Sequence, residues 1–270
     1  MKPDASLIIS VYNKIREFEL VLAGINRQTY KRFEIIIADD GSGIEMKQFI
    51  ENYRKDFRYE LKHIWQEDSG FRKNKILNEA IKSSTSDYLI FIDGDCIPHK
   101  KFIESHIEEK EHNSVLCGSR VMLSKRFTDI LSLNDVQNGK VEKYSLRLLL
   151  DALKGRASRL EDGIRNRLLL NIHRKKQARI LGSNFSIEKS LIEEINGFDE
   201  RYEGPGLGED SDVEFRLSLL GVKFKSVRNY AILYHLYHQK TMELTDNWKI
   251  YNDTKQRNSP VCLNGLENKC

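Results

Sequence analysis

Cysteine is scarce in this 270-residue chain. The four present, Cys96, Cys117, Cys262 and Cys270, form no CxxC pair and no Cys/His spacing of the kind a zinc site needs. A chain this long buries about three quarters of its unfolded surface, so it needs no disulfide framework, and reduced thiols suit a cytoplasmic compartment. Long apolar runs are also missing: none approaches the roughly 18–20 residues that span a bilayer. The opening Met1–Ile9 is too short and interrupted for a secretory h-region. A soluble chain is the expectation. Nor does one sign of charge dominate. Lys and Arg number 44 against 40 acidic residues, a net +4 that is too mild to demand nucleic acid as a partner. No internal repeat or low-complexity segment occurs, and 40% apolar with 31% charged residues excludes disordered and collagen-like classes.

What is present is an alternation of short apolar runs and longer periodic stretches over residues 6–119. Leu7–Val11, Glu34–Ala38, Leu61–Trp65, Tyr88–Ile92 and Val115–Gly118 read as strands; Ile15–Arg27, Met46–Asp56, Lys73–Ser83 and Phe102–Lys110 read as helices. Strands apolar throughout and separated by helices predict an α/β fold, with a mixed, mainly parallel sheet flanked by helices. Residues 120–180 read as a helical insertion, with helices at Leu146–Leu153 and Ile164–Ile172. Within it, 140–179 carries twelve Lys/Arg against four Asp/Glu, a local +8 that leaves −4 for the remainder. That charge fits either a solvated helical insertion or a surface for anionic lipid headgroups. Strand character returns at Asn184–Ile187, followed by a Gly-rich loop (197–208), a helix over Glu209–Leu220, a strand over Tyr230–Tyr234 and a polar tail from 246 that wraps the surface. The units expected are thus 1–119, 120–180, 181–245 and 246–270, within one domain overall.

In such sheets ligands bind beyond the carboxyl ends of the strands. After strand 88–92 comes Asp93-Gly-Asp95. Residues two apart on an extended strand end point the same way, so both carboxylates can converge on a divalent ion that also holds a diphosphate. Gly94 lets a ligand approach the backbone. After strand 34–38, Asp39-Asp40-Gly41-Ser42 offers an acidic residue to a base N–H or a ribose hydroxyl, and after the first strand Tyr12 can stack on a base. The loop Gly204–Gly208 delivers Glu209, Asp210 and Asp212 to the start of a helix, suited either to the macrodipole or to presenting a general base. Asp212, Glu214 and Arg216 read as helix-surface or supporting residues. His235 follows the last apolar strand and can ligate a metal through neutral imidazole. Strand alternation disfavours His238 aiming the same way.

Ser10-Val-Tyr-Asn13, Gln28-Thr-Tyr30, Ala38-Asp-Asp-Gly-Ser42, Phe91-Ile-Asp-Gly-Asp-Cys-Ile-Pro-His99, Asn196-Gly-Phe-Asp199, Gly208-Glu-Asp210 and His235 stand in an order that resembles the inverting family 2 glycosyltransferases of the GT-A (Rossmann-like) fold. The C-terminal half is similar to the galactosyltransferase and chondroitin-polymerase type. The resemblance covers about 5–118 and 180–240. It implies transfer of a sugar from a nucleotide sugar, UDP by expectation, to a hydroxyl of a glycan or lipid-linked acceptor in bacterial surface polysaccharide or lipopolysaccharide synthesis. Tyr12 and Asp40 would hold the uracil, Asp93 and Asp95 the ribose and the Mn²⁺- or Mg²⁺-bound diphosphate, and His235 would complete the metal shell. Asp210 would be the base, with Glu209 its neighbour. Where relatives carry Arg-Asn this chain has Leu77-Asn78, so Arg72, Lys73 or Lys75 would supply the charge near the diphosphate.

Two rivals remain. A sugar-nucleotide pyrophosphorylase would show a Gly-rich, Arg-containing loop after the first strand, and Ser10–Glu17 holds no glycine. A non-catalytic carbohydrate-binding protein of the same fold would not need acidic residues at every strand end. The basic insertion adds a possible partner, an anionic membrane surface, with the chain peripheral on the inner face of the cytoplasmic membrane.

Overall fold

The computed structural model describes residues 2–143, 155, 157–204, 209–239 and 246–268. Its first half alternates as the apolar runs require: β1 (Ala5–Val11), α1 (Ile15–Asn26), β2 (Phe33–Asp39), α2 (Ile44–Asp56), β3 (Leu61–Trp65), α3 (Lys73–Ser83), β4 (Tyr88–Asp93), β5 (Cys96–Pro98), α4 (Phe102–Glu109) and β6 (Ser114–Cys117). Then come β7 (Ser119–Met122), α5 (Lys125–Ile130), α6 (Leu133–Gln137) and α7 (Lys140–Lys143). A 3-10 turn at Leu160–Gly163 leads into α8 (Arg167–Arg174), β8 (Asn184–Glu188), α9 (Lys189–Glu194), α10 (Glu209–Leu219), β9 (Lys223–Ser226), β10 (Ile232–His235) and α11 (Asn247–Arg257).

Seven strands form one sheet in the order β3-β2-β1-β4-β8-β6-β9; β8 runs antiparallel to both neighbours and the other pairs are parallel. Alternate residues enter two cores. Leu7, Ile9, Ile35 and Ile37 pack with Phe18 and Leu22 of α1 and Phe102 of α4, whereas Ile8, Ile36 and Phe91 pack with Ile76 of α3, Ile192 of α9 and Val213 of α10. With both faces apolar, hydrophobicity alone leaves the register loose. Buried polar pairs between strands pin it: Ser6 Oγ donates to Glu34 at 2.6 Å, and Ser10 Oγ to Asp93 at 2.8 Å. A second, three-stranded sheet, β5-β10-β7, sets His235 opposite Cys96, one residue from Asp95.

The expected α/β architecture is present, with local differences. β10 runs 232–235, because 230–231 turn back on Val227 through backbone hydrogen bonds, so His235 lies in the strand rather than after it. The segment 120–180 is not helical throughout: it opens on β7. Its second expected helix starts at Arg167, where Asn166 Oδ1 accepts from the amides of Leu168 and Leu169. The helix expected at Leu146–Leu153 lies outside the described residues, as do Cys270 and 205–208 of the Gly-rich loop. The basic charge is partly neutralised: Arg165 pairs with Glu108, Arg167 and Arg174 with Glu109, and Lys140 with Asp135. The tail is more than a surface wrap, since it forms α11 and buries Cys262, whose carbonyl accepts from Asn196 Nδ2. Among the described residues no helix is long and apolar enough to cross a membrane.

Candidate active site

Chain order reverses at β1, which pairs with β2 on one side and β4 on the other. The crevice beyond such a switch point is where α/β sheets bind ligands. Asp93, the last residue of β4, sits there opposite Ser10. Its Oδ1 accepts from Ser10 Oγ at 2.8 Å and from Lys73 Nζ at 2.9 Å, while Arg120 Nη1 of β7 stands 3.7 Å from Oδ2. Burial opposes its ionisation, but Lys73, Ser10 and Arg120 outweigh it and bring the carboxyl down to about 2. The chain itself requires the glycine between the two acids: a Cβ on Gly94 would lie 2.7 Å from Val11 Cγ1, and its amide donates to Ser10 O at 2.8 Å.

Asp95 accepts from the Cys96 thiol at 3.7 Å and faces three basic side chains. His235 Nε2 lies 3.6 Å from its Oδ1, His238 Nε2 lies 3.4 Å from its Oδ2, and Lys14 Nζ approaches Oδ2 at 3.5 Å. Lys14 gets there because Asn13 and Lys14 both adopt left-handed backbone, at φ of 52° and 56°. The expectation that His238 faces away from His235 is overturned. The strand ends at His235, so alternation does not extend to 238, and the chain bends its imidazole back onto Asp95. Ligand atoms of Asp95, His235 and His238 lie within 4.8 Å of one another, as do those of Asp93, Asp95 and Cys96. Burial brings the His235 imidazole down to about 4, leaving it neutral, and its buried Nδ1 has no hydrogen-bond partner. A neutral imidazole with an unsatisfied nitrogen, beside the Asp95 carboxylate, fits a divalent ion. Two imidazoles make Mn²⁺ a better match than Mg²⁺, which keeps to oxygen donors.

On the other side of β1, Tyr12 is exposed and donates to Asp68 at 2.9 Å. Asp40 is buried and accepts from the Arg72 amide at 2.9 Å and from Gln66 Nε2. Its carboxyl is pushed up by burial, against those hydrogen bonds. Gln66 Oε1 and Arg72 Nε are buried without partners, so an acceptor and a donor stand unused beside Asp40. Asp39 has a structural part, binding the Ser42 amide and His63. Lys75 is exposed, and among the described residues no ion pair joins it to this crevice. The α3 cation that reaches the carboxylates is Lys73.

The far wall comes from α10 and the loop before β8. Glu209 Oε1 lies 3.6 Å from Lys73 Nζ, and Asp210 accepts from the amides of Gly182, at 3.4 Å, and Ser211. Burial pushes the Glu209 carboxyl up against the pull of Lys73. Asp212 and Arg216 are not on the helix surface. Both are buried and joined at 2.6 Å, and Arg216 also donates to the carbonyls of Ile195 and Gly197. Asn78 grips the same turn, accepting from the Phe198 amide and donating to its carbonyl. The Asn196-Gly-Phe-Asp199 motif is therefore a bracket that seats α10 against α3. Gln28 is likewise structural, holding His99 O and the Ile103 amide.

Five site residues escape the sequence reading: Lys14, Gln66, Arg120, Ser183 (which accepts from Arg120 at 2.9 Å) and His238 in its observed orientation. Arg120 lies on a four-residue strand with no apolar run to reveal it. His238 was visible as a histidine, but the bend after His235 was not.

The model of the glycosyl transferase family 2 matches residues 6–153, and one described as the N-terminal domain of galactosyltransferase matches 171–239. The chain is 27% identical over 241 residues to chondroitin synthase of Escherichia coli and 24% over 249 residues to that of Pasteurella multocida (strain Pm70). Each match covers 85% of this chain but only 34% and 24% of those proteins, so the chain spans about a third and a quarter of their lengths. Uncharacterized glycosyltransferase YfnE of Bacillus subtilis is 24% identical over 300 residues, covering 97% of this chain and 74% of that protein. Among solved structures, S. aureus TarS 1-349 in complex with UDP matches with TM-score 0.61 at 16% identity, over 100% of this chain and 68% of that one. The mannosyltransferase PcManGT from Pyrobaculum calidifontis, in complex with GDP-Man and Mn²⁺, matches with TM-score 0.58 at 14% identity, over 93% and 61%. The structural matches carry the fold, and the family model, which spans more than half of the chain, carries the kinship: this chain belongs to glycosyl transferase family 2.

Proposed function

We propose that the protein is an inverting glycosyltransferase that moves a sugar from a UDP-sugar to a hydroxyl of a glycan or lipid-linked saccharide, with Mn²⁺ held by Asp95, His235 and His238. The observation that carries the reading is the opposition of two acidic sets across one crevice: Asp93 and Asp95 at the end of β4, Glu209 and Asp210 at the start of α10. One set suits a departing diphosphate and the other an attacking hydroxyl. When bound, the ion would act as a Lewis acid on the diphosphate oxygens. The remaining roles fall to the chain. Tyr12 stacks on the base, while Asp40, Gln66 and Arg72 offer polar atoms to its edge. Asp210 takes the acceptor's proton from the side opposite the leaving group, so a single displacement inverts the anomeric centre. Support for UDP comes from the TarS complexes with UDP and UDP-GlcNAc, and support for manganese from the PcManGT complex. The chondroitin synthases support a polysaccharide acceptor. A panel of UDP-, GDP-, ADP- and CDP-sugars with Mn²⁺ tests it, read by release of the nucleoside diphosphate. Release confined to UDP-sugars is expected, and release from none of them would overturn the reading.

A place on the inner face of an anionic membrane has narrower support than the local +8 suggests. Exposed Leu168 and Ile172 stand one turn apart on α8, with exposed Ile164 just before the helix, beside exposed Lys175, Lys176 and Arg179, which form no ion pair among the described residues. Sedimentation with phosphatidylglycerol vesicles, lost in high salt and in a Leu168→Ser/Ile172→Ser variant, is the outcome this predicts.

A further inference from the structure

Lys73 holds a position that its own helix does not explain. It is the first residue of α3, at the positive end of the macrodipole, and no acidic residue shares that first turn to offset it. Its side chain is only 15% exposed, and a buried ammonium is costly unless paired. The pairing comes from two sides of the crevice: Asp93 Oδ1 at 2.9 Å and Glu209 Oε1 at 3.6 Å, with the field of Asp210 added. Lys73 is thus a single cation joining the end of β4 to the start of α10. Gly182 packs against the same pair: a Cβ there would make ordinary contacts, 3.7 Å from Glu209 Oε1 and 4.0 Å from Lys73 Nζ.

The two carboxylates depend on Lys73 unequally. Asp93 retains Ser10 and Arg120 if the ammonium leaves. For Glu209, Lys73 is the cation paired with it among the described residues. A dianionic group entering at the N-terminus of α3 meets both the ammonium and the positive helix end, a combination that favours phosphate.

We propose that Lys73 is a donor-controlled latch: with no donor bound it ties Glu209 to Asp93, and on donor binding it transfers to the diphosphate, freeing the α10 carboxylates for the acceptor. This rests on the nucleotide-sugar reading above. It makes donor binding precede acceptor binding, and linkage requires the converse, that the Glu209 contact weakens donor binding.

Calorimetric titration of the full chain with UDP in MnCl₂ tests this, with melting curves to confirm folding. Lys73→Met is expected to weaken UDP by about tenfold or more, as for loss of one charge-assisted hydrogen bond, and Lys73→Arg to restore most of it. Lys73→Gln covers the case in which the Met variant does not fold. The distinguishing variant is Glu209→Gln: removing the competing carboxylate should tighten UDP in the Lys73 background, and the gain should vanish in Lys73→Met/Glu209→Gln. Equal UDP affinity in wild type and both Lys73→Met and Lys73→Gln would overturn the proposal. So would equal tightening by Glu209→Gln in both backgrounds, which is simple relief of negative charge. Wild type that binds none of UDP, GDP, ADP and CDP would instead overturn the nucleotide-sugar reading, and this proposal with it.

Discussion

His238 Nε2 stands 3.4 Å from one oxygen of the Asp95 carboxylate, and His235 occupies the other oxygen. Both imidazoles can therefore serve one ion together with Asp95. Replacing either His235 or His238 with Ala should weaken Mn²⁺ binding by at least the ~10–100-fold that losing an outer hydrogen-bond partner costs a metal site. Titration followed by the Mn²⁺ electron paramagnetic resonance signal reads this directly. Unchanged affinity in one variant removes that histidine from the set.

Asp95→Ala takes away the carboxylate that both histidines face. The variant should fold, because Asp95 has no part in either core, yet release no nucleoside diphosphate in Mn²⁺. Full activity of the variant in excess EDTA would mean that the crevice works without the ion.

Much of this crevice can be read from the sequence because its main parts sit at strand ends. Apolar runs announce β1, β2 and β4, so Tyr12, Asp40, Asp93 and Asp95 follow directly from where those runs stop. Lys73 is harder. Its neighbourhood suggests a cation for a diphosphate, yet Arg72 and Lys75 compete for the part, and only α10 packing beside α3 singles it out. β5, β7 and β9 have three or four residues each and pair with strands of only four, β10 and β6, so neither Arg120 nor the geometry around His235 is legible locally. The Asn196–Asp199 motif reads as a family signature, but its bracketing role needs Asn78 and Arg216, which come from two other helices.

That bracket makes a stability prediction. Arg216 is fully buried and spends its donors on Asp212, Ile195 O and Gly197 O. Arg216→Met strands the Asp212 charge, so unfolding free energy measured in urea should fall by about 3–5 kcal/mol. A loss below about 1 kcal/mol would show that α10 is seated by its apolar face alone.

Asp210→Asn preserves shape and removes basicity. Turnover should fall by about 10²–10⁴-fold, the usual range for a lost general base, with the KM for donor little changed. Should Glu209→Gln lose turnover while Asp210→Asn keeps it, the proton goes to Glu209, whose burial already pushes its carboxyl up.

Acid stability should be governed first by a buried histidine, His106. His106 is fully buried, bound to Ser186 Oγ at 2.7 Å and Asn184 Oδ1 at 3.3 Å, and Ser186 is shared with Tyr88. None of these partners titrates near neutrality. Burial brings the imidazole down to about 3, whereas the unfolded chain takes up the proton near 6.5. Between those values the unfolded state holds the extra proton, so stability is complete above about pH 6.5 and declines as pH falls, by up to about 1.4 kcal/mol per pH unit from this residue. His99 and His235, brought down to about 4 by burial, add to the slope in the same direction. Glu34 enters later: burial is outweighed by Lys62, Ser6 and Thr85, its carboxyl sits at about 2, and its contribution is lost only below about pH 4.3. Melting temperatures in EDTA should therefore fall from pH 6.5 to 4.5, before the Glu34 contribution begins to be lost, and His106→Gln should flatten that decline. A wild-type melting temperature constant across this window would show that His106 accepts its proton without unfolding the chain.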